Sequence, residues 1–209
     1  MPKRYYTMNP TTMSNSTLYT LHSTLIVGLT GGIGSGKSYI AAQMAKTGYR
    51  VYDTDKEAKR LIVTDTELRA QMVALLGPDI YEGDTYRTDL VAARVFAQPA
   101  LLQQLNQLVH PFVERDILSL TAEGGLAAQR SASAAVLQRS GLLIESALLI
   151  ESGLYRLCDR VIVVTAPEAV RIARVMRRDH CSEEQVRSRM AAQMSEKERW
   201  QYANLIIAN

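Results

Sequence analysis

Cysteine is scarce in this sequence, and so is any large excess of charge of one sign. Two cysteines, Cys158 and Cys181, stand among 209 residues. They lack the spacing of metal ligands, and two thiols build no disulfide framework, which points to a reducing, cytoplasmic setting. No apolar run reaches the ~18 residues that a membrane-spanning helix needs. The formal charge of +3, with no long basic run, argues against a nucleic-acid partner. Residues 1–23 contain no acidic residue and no apolar stretch of the signal-peptide kind. Their single arginine, Arg4, is too little for a transit peptide, so they read as a flexible extension, with Met8 and Met13 as alternative starts. The remaining composition, 47% hydrophobic and 22% charged, is that of a globular chain with one core domain and insertions.

What is present is concentrated in one stretch. Gly31-Gly32-Ile33-Gly34-Ser35-Gly36-Lys37-Ser38 fits the phosphate-loop pattern G-x-x-x-x-G-K-[ST] residue for residue. The apolar run Leu25 to Leu29 before it is short enough for a buried strand. Tyr39 to Lys46 after it has a helical spread of apolar positions, with Gly48 as a stop. The glycines allow a tight curve whose backbone N–H groups turn inward on phosphate oxygens, and the helix N-terminus adds positive potential. Lys37 supplies a charge for the β- and γ-phosphates, and the Ser38 hydroxyl suits Mg²⁺. The chain is therefore expected to bind a nucleoside triphosphate through Gly32 to Tyr39.

Arg50 to Asp53 reads as a second strand, ending in Asp53-Thr54-Asp55, where open α/β sheets bind ligands. These acids suit a Mg²⁺ partner (Asp53) and a general base near the transferred phosphoryl group (Asp55). A solvated turn with an Asp helix cap is the alternative. From Lys56 to about Glu123 the pattern is helical and lacks strand signals. Thr64-Asp65-Thr66-Glu67 fits a capping box, and Gly77-Pro78 breaks the helix that follows. Tyr81 to Thr85 reads as a loop, Asp89 to Phe96 as a helix carrying Arg94, and Leu101 to Val109 as a helix ended by His110-Pro111. A further helix then runs from Phe112 to Leu120. Residues 124–140, rich in Ala, Ser and Gln, read as a poorly specified helix or loop.

Leu142 to Glu145 is a buried strand ending in an acid, in the manner of a Walker B element. Arg160 to Thr165 is the clearest strand, β-branched as in a parallel sheet covered on both faces. Leu205 to Ile207 makes a fifth. Between the last two lies a helix from Pro167 to Arg178, with Arg171, Arg174 and Arg178 on one face and Arg177 beside them. Four arginines so close would repel one another unless anions are near. Ser182 to Gln185 caps the next helix, and the pair reads as a lid bringing guanidinium groups onto a triphosphate.

The motif set Thr30 to Ser38, Asp53-Thr54-Asp55, Arg94 with Phe96, His110-Pro111, Leu148 to Leu154, Arg177-Arg178-Asp179, Gln193 and Ala203 to Asn209 resembles the dephospho-coenzyme A kinase family. The resemblance implies an α/β phosphate-loop core with a five-stranded parallel sheet (24–60, 124–166 and 195–209). It also implies a helical coenzyme A-binding insertion (61–123) and a lid (167–194). It implies transfer of the γ-phosphoryl of ATP to the 3′-hydroxyl of dephospho-coenzyme A by a monomer or weak homo-oligomer. Asp55 would be the base, Lys37 and Ser38 would hold phosphates and Mg²⁺, and Arg174 would be the lid arginine on the triphosphate. Arg94 and His110 would lie on the acceptor side. The chain departs from the family in carrying Glu145-Ser146-Ala147 where Asp-x-Pro is usual, and Asn204 where many members have Asp. Members also usually continue past the position of Asn209 through a helix that packs on the core. Other readings are a kinase of a nucleoside monophosphate or another small alcohol, and a nucleotide switch. The Asn-Lys-x-Asp motif of GTPase-type switches is absent.

Overall fold

Ile26–Thr30 (β1) is buried at every position, as a strand must be when helices cover both faces of its sheet. It is the middle strand of a five-stranded sheet. The computed structural model describes residues 25–96, 98–121 and 141–209, and they fall into two compact units divided after Tyr52 and again near residue 122. The expected extension 1–23 and the segment 124–140 lie outside the described residues.

The first unit holds the sheet. Its strands are β1, Arg50–Asp53 (β2), Leu142–Glu145 (β5), Arg160–Thr165 (β6) and Leu205–Ala208 (β7), in the order β2-β5-β1-β6-β7. β1 runs parallel to β5, with Leu29 opposite Glu145, and parallel to β6, with Thr30 opposite Val163. β6 and β7 are likewise parallel. Val27, Leu29, Leu143, Ile162 and Val164 form the core with Ala41 of helix Lys37–Lys46 (α1). All five expected strands are present. β1 and α1 are joined by the Gly-rich turn, so the register of β1 fixes where that turn stands.

The second unit consists of helices Thr54–Thr64 (α2), Thr66–Leu76 (α3), Thr88–Phe96 (α4) and Pro99–Thr121 (α5). Leu68, Met72, Ile80 and Ile117 are fully buried among them. The expected boundary at residue 61 falls inside α2, which packs on α3 and α5, so this unit starts at Asp53. Three local expectations are corrected. Thr64 closes α2 and does not cap α3. Asp65 caps it, accepting from Leu68 N at 2.9 Å. Tyr81–Glu82 (β3) and Thr85–Tyr86 (β4) pair as a small hairpin around Gly83, although the stretch reads as a loop. Four residues are too few for an alternation signal to be visible.

The third correction concerns Pro111, which lies inside a continuous helix. Val109, Phe112, Val113 and Ile117 bury the face of α5 on either side of it. That burial outweighs the one backbone hydrogen bond a proline removes. No helix among the described residues is long and apolar enough to cross a membrane.

Candidate active site

The turn between β1 and α1 is shaped by three left-handed or extended glycines, of which Gly34 and Gly36 carry φ of 78° and 92°. A side chain at Gly34 would also meet the Arg171 carbonyl oxygen at 2.5 Å. Both the turn and the packing behind it therefore require glycine. Ser35 N donates to Gly32 O at 3.1 Å, and Lys37 Nζ reaches back to Gly31 O at 2.9 Å. Gly36, the N-cap of α1, offers no side-chain cap, which leaves first-turn amides of the helix to an anion. Tyr39, in that turn, is 60% exposed.

At the far end of β5, Glu145 Oε1 accepts from the Ser38 hydroxyl at 2.7 Å. The β1–β5 register places Glu145 beside Leu29, one residue before the end of β1. A hydroxyl and a carboxylate are the hard oxygen donors that Mg²⁺ takes when it keeps most of its other positions for water and phosphate. Among the described residues there is no cluster of three or more His, Cys, Asp or Glu that could hold a metal alone.

The helix Glu168–Asp179 (α6) packs behind the loop. Arg174, exposed, donates through Nη1 to the carbonyls of Gly34 and Ser35 at 3.3 and 3.4 Å. Asn209 Nδ2 donates to the same Ser35 carbonyl at 3.0 Å, and Ile33 N donates to Gln193 Oε1 at 2.8 Å. α6 and Glu183–Ala191 (α7) form the expected hairpin, with a complete capping box between Ser182 and Gln185. Two of the four α6 arginines face acids within the protein. Arg171 is buried against Glu196 at 3.5 Å, and Arg178 pairs with Asp179 at 2.6 Å. Asp179 also holds Arg189 at 2.8 Å, and the two guanidinium groups keep its carboxyl below the usual carboxylate range.

In the second unit, Asp53 caps α2. Its Oδ1 accepts from Asp55 N and Lys56 N at 3.0 and 3.1 Å. Asp55 lies in the first turn with an exposed side chain. Arg94 forks onto the Asp79 carboxylate and also donates to Leu76 O, so it ties α4 to the end of α3. His110 is half-buried in α5, and burial lowers its pKa from 6.5. Cys158 donates to Leu154 O at 3.5 Å, and burial pushes its thiol up to about 12, which leaves it inert as a nucleophile.

Two residues beside the loop escape a reading by motif: Arg199 and Glu196 on Glu196–Trp200 (α8). Ser195 and Glu198 form a capping box there, and that spacing is a signal which could have revealed the helix.

A parallel sheet in this order, a phosphate loop between its central strand and a helix, and an acid on the neighbouring strand define a phosphate-loop nucleotide-binding protein. The family model for dephospho-CoA kinase matches residues 25–209. The dephospho-CoA kinase of Porphyromonas gingivalis is 38% identical over 172 residues, covering 82% of this chain and 79% of the relative. That of Salinibacter ruber is 39% identical over 184 residues, covering 88% and 87%. A crystal structure of a Thermus thermophilus protein superposes with a TM-score of 0.69 at 31% identity, covering 89% of this chain and 88% of that one. A Campylobacter jejuni dephospho-CoA kinase shares the fold, with a TM-score of 0.59 at 22% identity over 88% and 87%. The chain belongs to the dephospho-CoA kinase family and is an ATP-dependent kinase of coenzyme A synthesis.

Proposed function

We propose that the acceptor is the ribose 3′-hydroxyl of dephospho-coenzyme A, that Mg²⁺ accompanies ATP, and that the reaction takes place in the cytoplasm. The acceptor is supported by the family match over residues 25–209, and the cation by the Ser38–Glu145 hydrogen bond at the mouth of the phosphate loop. That bond joins the two oxygen donors through which such a kinase would hold the cation. Bound Mg²⁺ would supply charge neutralisation on the transferring phosphates. Asp53, whose Oδ1 is taken by the α2 cap, would contribute its other oxygen.

The remaining chemistry is positioning and electrostatics. The loop amides and Lys37 hold the β- and γ-phosphates. Arg174, held at the carbonyls of Gly34 and Ser35, would meet the charge that spreads over the γ-phosphoryl oxygens. Asp55 aligns the acceptor hydroxyl for in-line attack and takes its proton late in the transfer. Arg94 and His110 shape the acceptor side, Arg94 by fixing α4 through Asp79. α6 and α7 act as a lid that excludes water, the competing acceptor.

ADP release from ATP with dephospho-coenzyme A, AMP, UMP or no acceptor tests the proposal. Turnover is expected with dephospho-coenzyme A alone. Faster turnover with AMP or UMP would assign the acceptor site to a nucleoside monophosphate.

A further inference from the structure

Arg171 and Arg199 are the only charged side chains among the described residues that are buried, at 7% and 1% exposure. They come from different helices, α6 and α8, and converge on one point of the phosphate loop. Apart from Gly32 and its two chain neighbours, the atom nearest to where a side chain at Gly32 would begin is Arg171 Nη1, and Arg199 Nη1 is 3.6 Å from that position. Neither Nε has a hydrogen-bond partner.

The counter-charges stand at the long end of ion-pair range. Glu196 stands 3.5 Å from Arg171 Nη2 and also accepts from Thr165 Oγ1 at 3.0 Å. Glu151 stands 3.9 Å from Arg199 Nη2, which donates instead to Met194 O at 2.8 Å. Both acids are more exposed than the arginines they face, with side-chain exposures of 30% and 27%. Burial, with the charge of Arg171, lowers the Arg199 pKa against the pull of Glu151 and Glu196. Two buried, adjacent, incompletely neutralised cations are costly unless an anion compensates them.

A cavity of about 290 Å³ opens between α6, α7 and α8 with Arg171, Arg187, Arg199, Gln193 and Glu196 on its wall. Gln193 reaches from this wall to the Ile33 amide, so the cavity and the loop share a boundary.

We propose that Arg171 and Arg199 form a fixed dicationic pair behind Gly32 that strengthens binding of the terminal phosphoryl group of ATP. They act through the loop and not by direct contact, as positioning residues. The inference rests on the kinase reading only in taking the loop to bind ATP. The pair also gives Gly32 a reason distinct from turn conformation: any side chain there would displace the Arg171 guanidinium.

The test is nucleotide binding by calorimetry on the full chain, with a non-hydrolysable ATP analogue and with ADP, for Arg171→Gln, Arg199→Gln and Arg199→Lys, beside thermal melts. A pair directed at the terminal phosphoryl group lowers analogue affinity by about tenfold in Arg171→Gln and Arg199→Gln. It lowers ADP affinity much less, and Arg199→Lys recovers part of the loss. Because buried charges are poorly screened, the wild-type-to-variant difference persists at about 0.5 M salt. If Arg199→Gln does not fold, Arg171→Gln and Arg199→Lys decide. Folded variants with lowered Tm and unchanged analogue and ADP affinities would overturn the proposal, leaving a network that only docks α8. Equal losses for the analogue and ADP would overturn it too. Binding is read without an acceptor, so failure of wild-type turnover with dephospho-coenzyme A would count against the acceptor assignment and not against the pair.

Discussion

The Ser38 hydroxyl donates to Glu145 across 2.7 Å, joining the first turn of α1 to the last residue of β5. Ser38 and Glu145 are 107 residues apart in the chain, and the β1–β5 register is what brings them together. If this pair serves the cation, Glu145→Gln keeps a hydrogen-bond acceptor for Ser38 and removes the charge. Turnover at limiting Mg²⁺ is expected to fall by at least about tenfold, ~1.4 kcal/mol of transition-state stabilisation, with a higher half-saturating Mg²⁺ concentration. A Mg²⁺ titration of initial rates checks it, and an unchanged profile would remove Glu145 from the metal site.

Lys37→Ala is expected to reduce kcat by at least about a hundredfold, ~2.7 kcal/mol, while leaving the fold intact. The Nζ donates to Gly31 O within the loop, and the role proposed for it is to bring charge to the β- and γ-phosphates. Retention of more than about a tenth of kcat would contradict that role.

Asp53 and Asp55 should separate cleanly. Asp53 caps α2 through two backbone amides, so Asp53→Ala should cost about 1 kcal/mol of stability and Asp53→Asn only a few tenths. Asp55→Asn should leave stability unchanged and lower kcat strongly with little effect on ATP affinity. Melts and steady-state kinetics on the three variants decide. Identical behaviour of Asp53→Asn and Asp55→Asn would dissolve the division of labour.

Pro111 interrupts the hydrogen bonding of α5 from within. Pro111→Ala restores an N–H for the Gln107 carbonyl and removes the ring clash, a gain of up to ~3 kcal/mol. Greater freedom in the unfolded chain offsets about 0.4–1 kcal/mol of it. Calorimetry should show a higher Tm, by about 2–4 °C for each net kcal/mol. A fall in Tm would mean that α5 needs the bend that proline imposes.

His110 contributes a pH dependence of defined sign. Its folded pKa lies below the unfolded 6.5 because burial disfavours the imidazolium. Between those two values the unfolded chain binds more protons, so stability rises with pH. The contribution is complete above 6.5 and is lost as pH falls toward the folded pKa. Urea midpoints at about pH 5.5 and about pH 7.5 should differ less in His110→Gln than in the wild type. An equal difference would place the titration elsewhere.

Much of this protein was written in local pattern. The phosphate loop, the five strands and the Ser182 capping box are short-range features whose physics is contained in a few neighbouring residues, so the sequence alone determined them. It determined the family as well, since the ordered motifs run from residue 25 to residue 209. Pro111 and the Tyr81–Tyr86 hairpin were decided by tertiary contacts: buried neighbours overrode a helix breaker in one case, and the Tyr81–Tyr86 ring contact with the Tyr81 hydroxyl bond to Ile62 O ties down two-residue strands in the other. The same is true of the loop's surroundings. Nothing in the chain order announces that Glu145 meets Ser38, that Asn209 meets Ser35, or that Arg171 and Arg199 converge behind Gly32. Those partners are 107, 174 and 28 residues apart, in the last case counting from Arg171 to Arg199. Their meeting depends on strand order and register, which arise only when the parallel sheet closes its long crossovers.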